Sequence, residues 1–298
     1  MDWITGIQRA IDYIEEHLCE DIDYDRVAAE SASSSFYFQR VFGILCGYTL
    51  GEYIRMRRLT LAGEELSVSG ARVIDVALKY GYDSPDSFAK AFYKFHGITP
   101  SAAREEGATL RSFSRLSIKI SLEGGNTMDY RIEEKAAFYV LERVERHSVE
   151  NGENNTSIPD FWDRACADGT LDRLAERSRD DLTFGICYGN DDKDDKSFDY
   201  SIAVRCDEGT DVPEGFGKRL IPTRTWLVFS CIGAMPDAIQ QMWQRIVTEF
   251  LPTSAYRPTY EMDIEAYTDG DMTSPDYKSE IWVPVEKNNI PVESRIFY

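Results

Sequence analysis

The chain has 298 residues, 43% hydrophobic and 29% charged, with 52 acidic against 33 basic side chains and a formal net charge of −19. That is enough apolar material for two domains with cores of their own, and no apolar run approaches the roughly 20 residues of a membrane span. So acidic a chain cannot hold nucleic acid by overall charge, so any phosphate contact must come from local basic groups.

The opening "MDWITGIQRAIDYIEEHL" has the pattern of an amphipathic helix, not of a charged, apolar and small-residue leader, so a cytoplasmic protein is expected. Residues 27–55, "VAAESASSSFYFQRVFGILCGYTLGEYIR", place Phe38, Val41, Phe42 and Leu45 at helical spacing between Ser34 and Gly47. Thr49-Leu-Gly-Glu52 then has capping-box form and starts a helix running to Leu66, with Arg55, Arg57 and Arg58 along it. In residues 73–104, "VIDVALKYGYDSPDSFAKAFYKFHGITPSAAR", a short helix carrying Val73, Val76, Ala77 and Tyr80 stops at Gly81. Ser84 caps a second helix with Pro85 at its first position, and Phe88, Ala91, Phe92 and Phe95 form one apolar stripe.

The two stretches repeat at an offset of fifty: Phe38, Val41, Phe42 and Leu45 correspond to Phe88, Ala91, Phe92 and Phe95, and Ser34, Gly47 and Thr49 to Ser84, Gly97 and Thr99. Two helix-turn-helix units on one stiff connecting helix can enter successive major-groove segments if they stand about 34 Å apart. This tandem motif resembles the DNA-binding domain of the AraC family of bacterial transcription regulators over about residues 1–107, with Ser35 where that family usually has Pro. The resemblance implies promoter DNA as partner and contact with RNA polymerase, and favours activation over repression.

Away from the buried stripes, Ser34, Ser35, Phe36, Gln39 and Arg40 on the first recognition helix, and Asp86, Ser87, Lys90, Tyr93 and Lys94 on the second, are the candidates for DNA contact. Gln39 suits adenine and Arg40 suits guanine or phosphate, with Lys90 at the equivalent place in the second motif. Asp86 is ambiguous, because a carboxylate in the first helical turn is already explained by the helix dipole. Residues 1–115 hold 13 of the basic and 17 of the acidic side chains, leaving 20 and 35 beyond, so most of the acid lies outside the helical part.

Residues 108–127, "ATLRSFSRLSIKISLEGGNT", form a Ser-rich connector, with room for one strand near Ile118 and Ile120. A second domain over residues 128–298 follows. β-rich runs at "YRIEEKAAFYVLERV", "LTFGICYG", "FDYSIAVRC", "RLIPTRTWLVFSCIG", "YEMDIEAYT" and "SEIWVPVE" alternate with helical "IPDFWDRACADGTLDRLAER" and "MPDAIQQMWQRIVTEFLP". The order strand, helix, strand, strand occurs twice, and Phe161-Trp162-Asp-Arg164 matches Met242-Trp243-Gln-Arg245. The fold class is therefore multidomain: an all-α tandem helix-turn-helix domain and an α+β domain of two pseudo-symmetric βαββ modules, with a ligand cleft expected between the sheets of the modules. The charged run "GNDDKDDKSFD" is expected to be a solvated loop.

Glu265 and Tyr267 share one strand face and Glu280 and Trp282 another, and a carboxylate flanked by aromatics binds a flat cation by charge pairing plus cation–π contact. These strands, with "TRTWLVFSCIG" and "EFLPTSAY", are similar to the GyrI-like effector-binding domain over about residues 128–287. That resemblance implies a small lipophilic or cationic effector and a glutamate at the bottom of an aromatic pocket. Glu265 and Glu280 both qualify, with Trp226, Tyr188 and Tyr267 as walls and Tyr139, Trp162, Phe229 and Trp282 as further aromatic candidates. It also admits a hydrolase in which Tyr188 or Tyr267 works with Glu265 or Glu280 on a reactive lipophile. The other alternative is an effector-blind regulator or protein-interaction module.

The six cysteines (Cys19, Cys46, Cys166, Cys187, Cys206 and Cys231) lack CxxC spacing and stand far in sequence from His17, His96 and His147. Reduced, buried thiols are expected, and neither a metal nor a cofactor. No Ser-His-Asp, Cys-His or phosphate-cradling glycine pattern points to an enzyme.

Overall fold

The computed structural model describes residues 3–118, 127–148, 153–189 and 197–287. The described residues divide into two compact units, one holding residues 3–38 and 48–118, the other residues 39–47, 127–148, 153–189 and 197–287.

The helical part consists of α1 (Trp3–Glu16), α2 (Tyr24–Glu30), α3 (Ser35–Cys46), α4 (Leu50–Val68), α5 (Val73–Lys79) and α6 (Pro85–His96). The caps follow from the residues that start each helix. Ser34 Oγ accepts from the Tyr37 amide and Ser84 Oγ from the Ser87 amide, and Thr49 and Glu52 satisfy each other's amides reciprocally. α3 and α6 both run into a glycine with a left-handed backbone, Gly47 (φ 72°) and Gly97 (φ 81°), where a Cβ would be strained. Phe88 and Phe92 are fully buried against Leu59, Ala62 and Leu66 of α4 and Val76, Ala77 and Tyr80 of α5. Each such ring stabilises the unit by about 1.5–3 kcal/mol through burial.

Two of the three α4 arginines serve this unit's own structure. Arg57 pairs with Glu15 at 2.8 Å, and Arg58 donates to the carbonyls of Leu18 and Glu20. The first part of the connector is tied down by side chains. The amides of Arg111, Phe113, Leu116 and Ile118 donate to His96 Nδ1, Thr60 Oγ1, the Tyr53 hydroxyl and Gln8 Oε1. With these partners Ile118 lies in extended chain outside any strand, and Ile120 lies outside the described residues.

The second unit contains β1 (Tyr130–Lys135), β2 (Phe138–Ser148), α7 (Asn154–Ala167), α8 (Thr170–Ala175), β3 (Leu182–Tyr188), β4 (Ser197–Cys206), β5 (Gly217–Ile221), β6 (Arg224–Ile232), α9 (Asp237–Arg245), β7 (Tyr256–Pro258), β8 (Met262–Thr268) and β9 (Lys278–Lys287). The two expected modules are β2-α7-α8-β3-β4 and β6-α9-β8-β9. The first helical stretch breaks at Gly169, and α9 continues through a π-helical turn, Ile246–Phe250, and a 3-10 turn, Leu251–Thr253. Residues 190–196 of the charged run lie outside the described residues.

The strands form one antiparallel sheet in the order β1-β6-β9-β8-β3-β4-β2-β5, with β7 on β9. The expected cleft between two sheets is thus corrected: the modules join edge to edge through β3 and β8, with Gly185 opposite Glu265 and Cys187 opposite Asp263. Pairing these two strands satisfies backbone groups that each module alone would leave exposed at its edge.

Candidate functional site

Strand alternation sends Asp263, Glu265 and Tyr267 of β8 to one face and Ile264 and Ala266 to the other. The first face is the one covered by helices: Ile239 and Trp243 of α9 pack there with Leu227, Phe229, Ile281 and Val283. Trp162 of α7 and Trp243 of α9, the matched tryptophans of the two modules, both reach the seam between β3 and β8. Trp243 Nε1 donates to Glu265 Oε1 at 2.8 Å, and the Tyr267 hydroxyl donates to Glu265 Oε2 at 2.7 Å. Trp162 Nε1 donates to the Tyr200 hydroxyl at 3.0 Å, and its ring stands edge-on to Tyr267 at 5.3 Å. Gly185 completes the floor, since a Cβ there would lie 2.2 Å from the Tyr200 hydroxyl. The result is an aromatic cage with two carboxylates on its sheet side.

Arg40, in the segment of α3 that belongs to this unit, lies in the same place. Its Nη1 donates to Asp263 Oδ2 at 2.5 Å, and its guanidinium stacks 4.5 Å from the Trp243 ring. Burial pushes the Asp263 carboxyl up, to about 6, against the pull of Arg40. For Arg40 burial opposes the charge, but the fields of Asp263, Cys187 and Glu265 and the bond to Asp263 together outweigh it, holding the group above its ordinary range. Burial also lifts the Tyr200 and Tyr267 hydroxyls far above their ordinary range, so both stay protonated, Tyr267 donating to Glu265 and Tyr200 accepting from Trp162.

The other expected ligand residues are distributed over both faces. Glu280 and Trp282 lie on the opposite face with Trp226 and Tyr188. There Glu280 accepts from Arg131 and from Trp282 Nε1, and Lys135 sits over the Trp282 ring at 4.2 Å. Tyr188 donates to the buried Glu142 at 2.6 Å, beneath the Arg219 guanidinium. Phe229 shares the Glu265 face but packs on Phe250 and Tyr130, and Tyr139 donates to Glu208 at 3.3 Å. Of the expected set, the structure brings together Glu265, Tyr267 and Trp162. The sequence reading missed Asp263, Trp243, Tyr200 and Arg40 as cage residues, although period-2 alternation from Glu265 already reaches Asp263 and the matched tryptophans already point to Trp243.

On α6, Asp86, Ser87, Lys90, Tyr93 and Lys94 are exposed and lie on one side of the helix away from Phe88 and Phe92. On α3, Ser34 is exposed, Ser35 and Phe36 are half-buried, Gln39 is buried, and Arg40 is paired as described.

Among the described residues no group of three or more His, Cys, Asp or Glu could hold a metal ion, and no helix is long and apolar enough to cross a membrane. All six cysteines are free thiols. Cys187, Cys206 and Cys231 are buried, Cys46 is partly buried, and Cys19 and Cys166 are exposed, contrary to the expectation of burial.

Comparison with known proteins matches residues 131–285 to the Integron-associated effector binding protein family and residues 27–106 to a helix-turn-helix domain family. The HTH-type transcriptional activator AarP of Providencia stuartii is 43% identical over 98 residues, covering 33% of this chain and 73% of AarP. Regulatory protein SoxS of Salmonella typhimurium is 41% identical over 98 residues, covering 33% of this chain and 92% of SoxS. The structure of SAV2435 bound to tetraphenylphosphonium is 27% identical, covering 53% of this chain and 94% of that one, with a TM-score of 0.48. Since one of these families spans more than half of the chain and the AraC-type relatives match its helical part nearly end to end, the chain belongs to the Integron-associated effector binding protein family and is a DNA-binding transcription regulator of AraC type.

Proposed function

We propose that this regulator works in the cytoplasm, binding a promoter through residues 1–107 and a flat lipophilic cation through residues 128–298, with residues 108–127 between them. The observation that carries the effector reading is the state of Glu265. Its hydrogen-bond donors, Trp243 and Tyr267, are neutral, and it shares its strand face with a second carboxylate, Asp263, to which Arg40 is bonded, in aromatic surroundings. A half-buried carboxylate held this way favours a cation, and the Trp243 face adds cation–π attraction. Glu280 is already matched by Arg131 and is the weaker candidate.

On the DNA side, Asp86, Ser87, Lys90 and Lys94 of α6 and Ser34, Ser35, Phe36, Gln39 and Arg40 of α3 are proposed to meet the duplex. RNA polymerase is proposed as the protein partner through which activation occurs. The chain acts by binding and not by turnover: the buried phenols of Tyr200 and Tyr267 are held protonated, which suits hydrogen bonding better than base catalysis.

Titration of tryptophan fluorescence with rhodamine 6G tests the cage. Saturation at one equivalent is expected, with Glu265→Gln weakening binding about tenfold or more, as for loss of a charge-assisted contact, and Glu280→Gln leaving it unchanged. Equal affinity of the wild-type and Glu265→Gln proteins would overturn the assignment.

A further inference from the structure

The cage already holds a cation supplied by the chain itself. Arg40 and Asp263 are 223 positions apart in sequence, yet they are bonded at 2.5 Å with side chains 20% and 15% exposed, and the guanidinium carbon lies over the Trp243 ring, 4.5 Å from its centroid. The segment carrying Arg40 belongs to the same compact unit as the sheet, and Ile44, one turn further along α3, packs with the Trp243 cluster. Other aromatics of this unit also carry cations, but Lys135 over Trp282 and Arg219 over Tyr188 come from strands of the sheet. Arg40 comes from the helix whose sequence pattern is that of a DNA-recognition helix.

We propose that Arg40 is a resident ligand of the cage, so that the effector is a planar cation with an N–H edge that displaces it, and displacement makes Arg40 available to DNA. The proposal rests on the reading of the cage as a cation site. Two monocations cannot share Asp263 and the Trp243 face, because each needs the same carboxylate edge and the same ring and they repel each other at contact distance. Nor can Arg40 meet a phosphate or guanine edge from this position, since its side chain is only 20% exposed while Nη1 holds Asp263 and the guanidinium lies over Trp243. Mutual exclusion at the cage gives a linkage with a fixed sign: an effector that removes Arg40 from Asp263 raises DNA affinity, and DNA that captures Arg40 raises effector affinity by the same factor. A ligand lacking the N–H edge would stack on Trp243 and leave Asp263 without a partner, which is costly for a carboxylate in this place. The recognised chemistry is therefore that of Arg40 itself: delocalised charge, one ring thick, with donors along one edge.

The test uses the full chain and rhodamine 6G, a flat cation with N–H groups. If Arg40 occupies the cage in most molecules, wild-type affinity is reduced by the fraction of empty cages, so Arg40→Gln should bind the dye about tenfold tighter or more. In ¹⁵N spectra of the wild-type protein, an Arg Nη–H signal absent from Arg40→Gln should resist solvent exchange and lose that protection as dye is added. Equal dye affinity in the two proteins, or an Arg40 signal unchanged at saturating dye, overturns the proposal and leaves the cation cage standing. Absence of dye binding by both proteins overturns the cage and the competition together. Should Arg40→Gln fold poorly, as judged by circular dichroism, Arg40→Lys, which keeps the charge, identifies the Arg40 signal in its place and the wild-type dye titration decides.

Discussion

The helices α3 and α6 carry the same apolar stripe at an offset of fifty residues, each begins with a serine cap, and each runs into a left-handed glycine. Their stripes are equally buried: Phe38 and Phe42 are 2% and 1% exposed, and Phe88 and Phe92 are both 0%. The outer faces differ. Where α6 has Lys90, Tyr93 and Lys94, α3 has Arg40, Gly43 and Ile44. A face with two lysines and a tyrosine is stable in water. One with Ile44, a small Gly43 and a single long cation can pack, and there Arg40 finds Asp263 and Trp243. Equal inner faces make two similar helices, and unequal outer faces give them different surroundings.

The largest expected effect tests the equality. Phe92→Ala and Phe42→Ala should each destabilise the protein by about 3–5 kcal/mol in urea denaturation, and a cost for one under half that of the other would break the equivalence of the stripes. The next bears on how α6 is anchored. His96 donates from Nε2 to the Leu59 carbonyl, and a Cβ on Gly63 would lie 2.7 Å from its ring. Gly63→Ala should therefore lower stability by roughly 1–3 kcal/mol, although Ala is the better helix former, and a rise in the melting temperature would show the ring to be easily displaced.

A smaller effect concerns DNA. Lys90→Ala should weaken promoter binding by about 1 kcal/mol and lower the salt slope by about one ion, whereas Arg40→Ala should change little until effector is present. Gel shifts with and without dye separate the two helices. The smallest is a pH effect specific to α6. Burial holds His96 below its ordinary value of 6.5, and Nδ1 must stay unprotonated to accept the Arg111 amide. For a group depressed in this way, stability is complete above pH 6.5 and drains away as the pH falls below it, because the unfolded chain takes up the proton first. Urea midpoints should drop between about pH 7.5 and 5.5 by less in His96→Gln than in the wild type, and identical drops would remove His96 from the account.

Much of this was legible beforehand because local chemistry sets it. The Thr49–Glu52 capping box, the serine caps and the two-module strand order follow from neighbours within a few residues, and strand alternation alone put Glu265 beside Tyr267. The choice between Glu265 and Glu280 was not legible, because both strands show a carboxylate two positions from an aromatic. Sheet register separates the two, sending Glu280 to the face where Arg131 meets it and Glu265 to the seam under Trp243. Nor does the sequence show that Arg57 and Arg58 are engaged within the helical part, Arg57 by Glu15 and Arg58 by the Leu18 and Glu20 carbonyls.

By itself, then, the sequence determined the helices, their caps, the repeat of fifty and the pair of βαββ modules, since each depends on periodicity and propensity over short spans. Only the tertiary structure decided that β3 and β8 would fuse the modules into one sheet, that Trp162 would reach Tyr200 and Tyr267 and Trp243 would reach Glu265 at that seam, and that Arg40 would reach Asp263 across 223 positions. Those depend on which long-range partners satisfy a strand edge or a buried charge, and no local pattern encodes the partner.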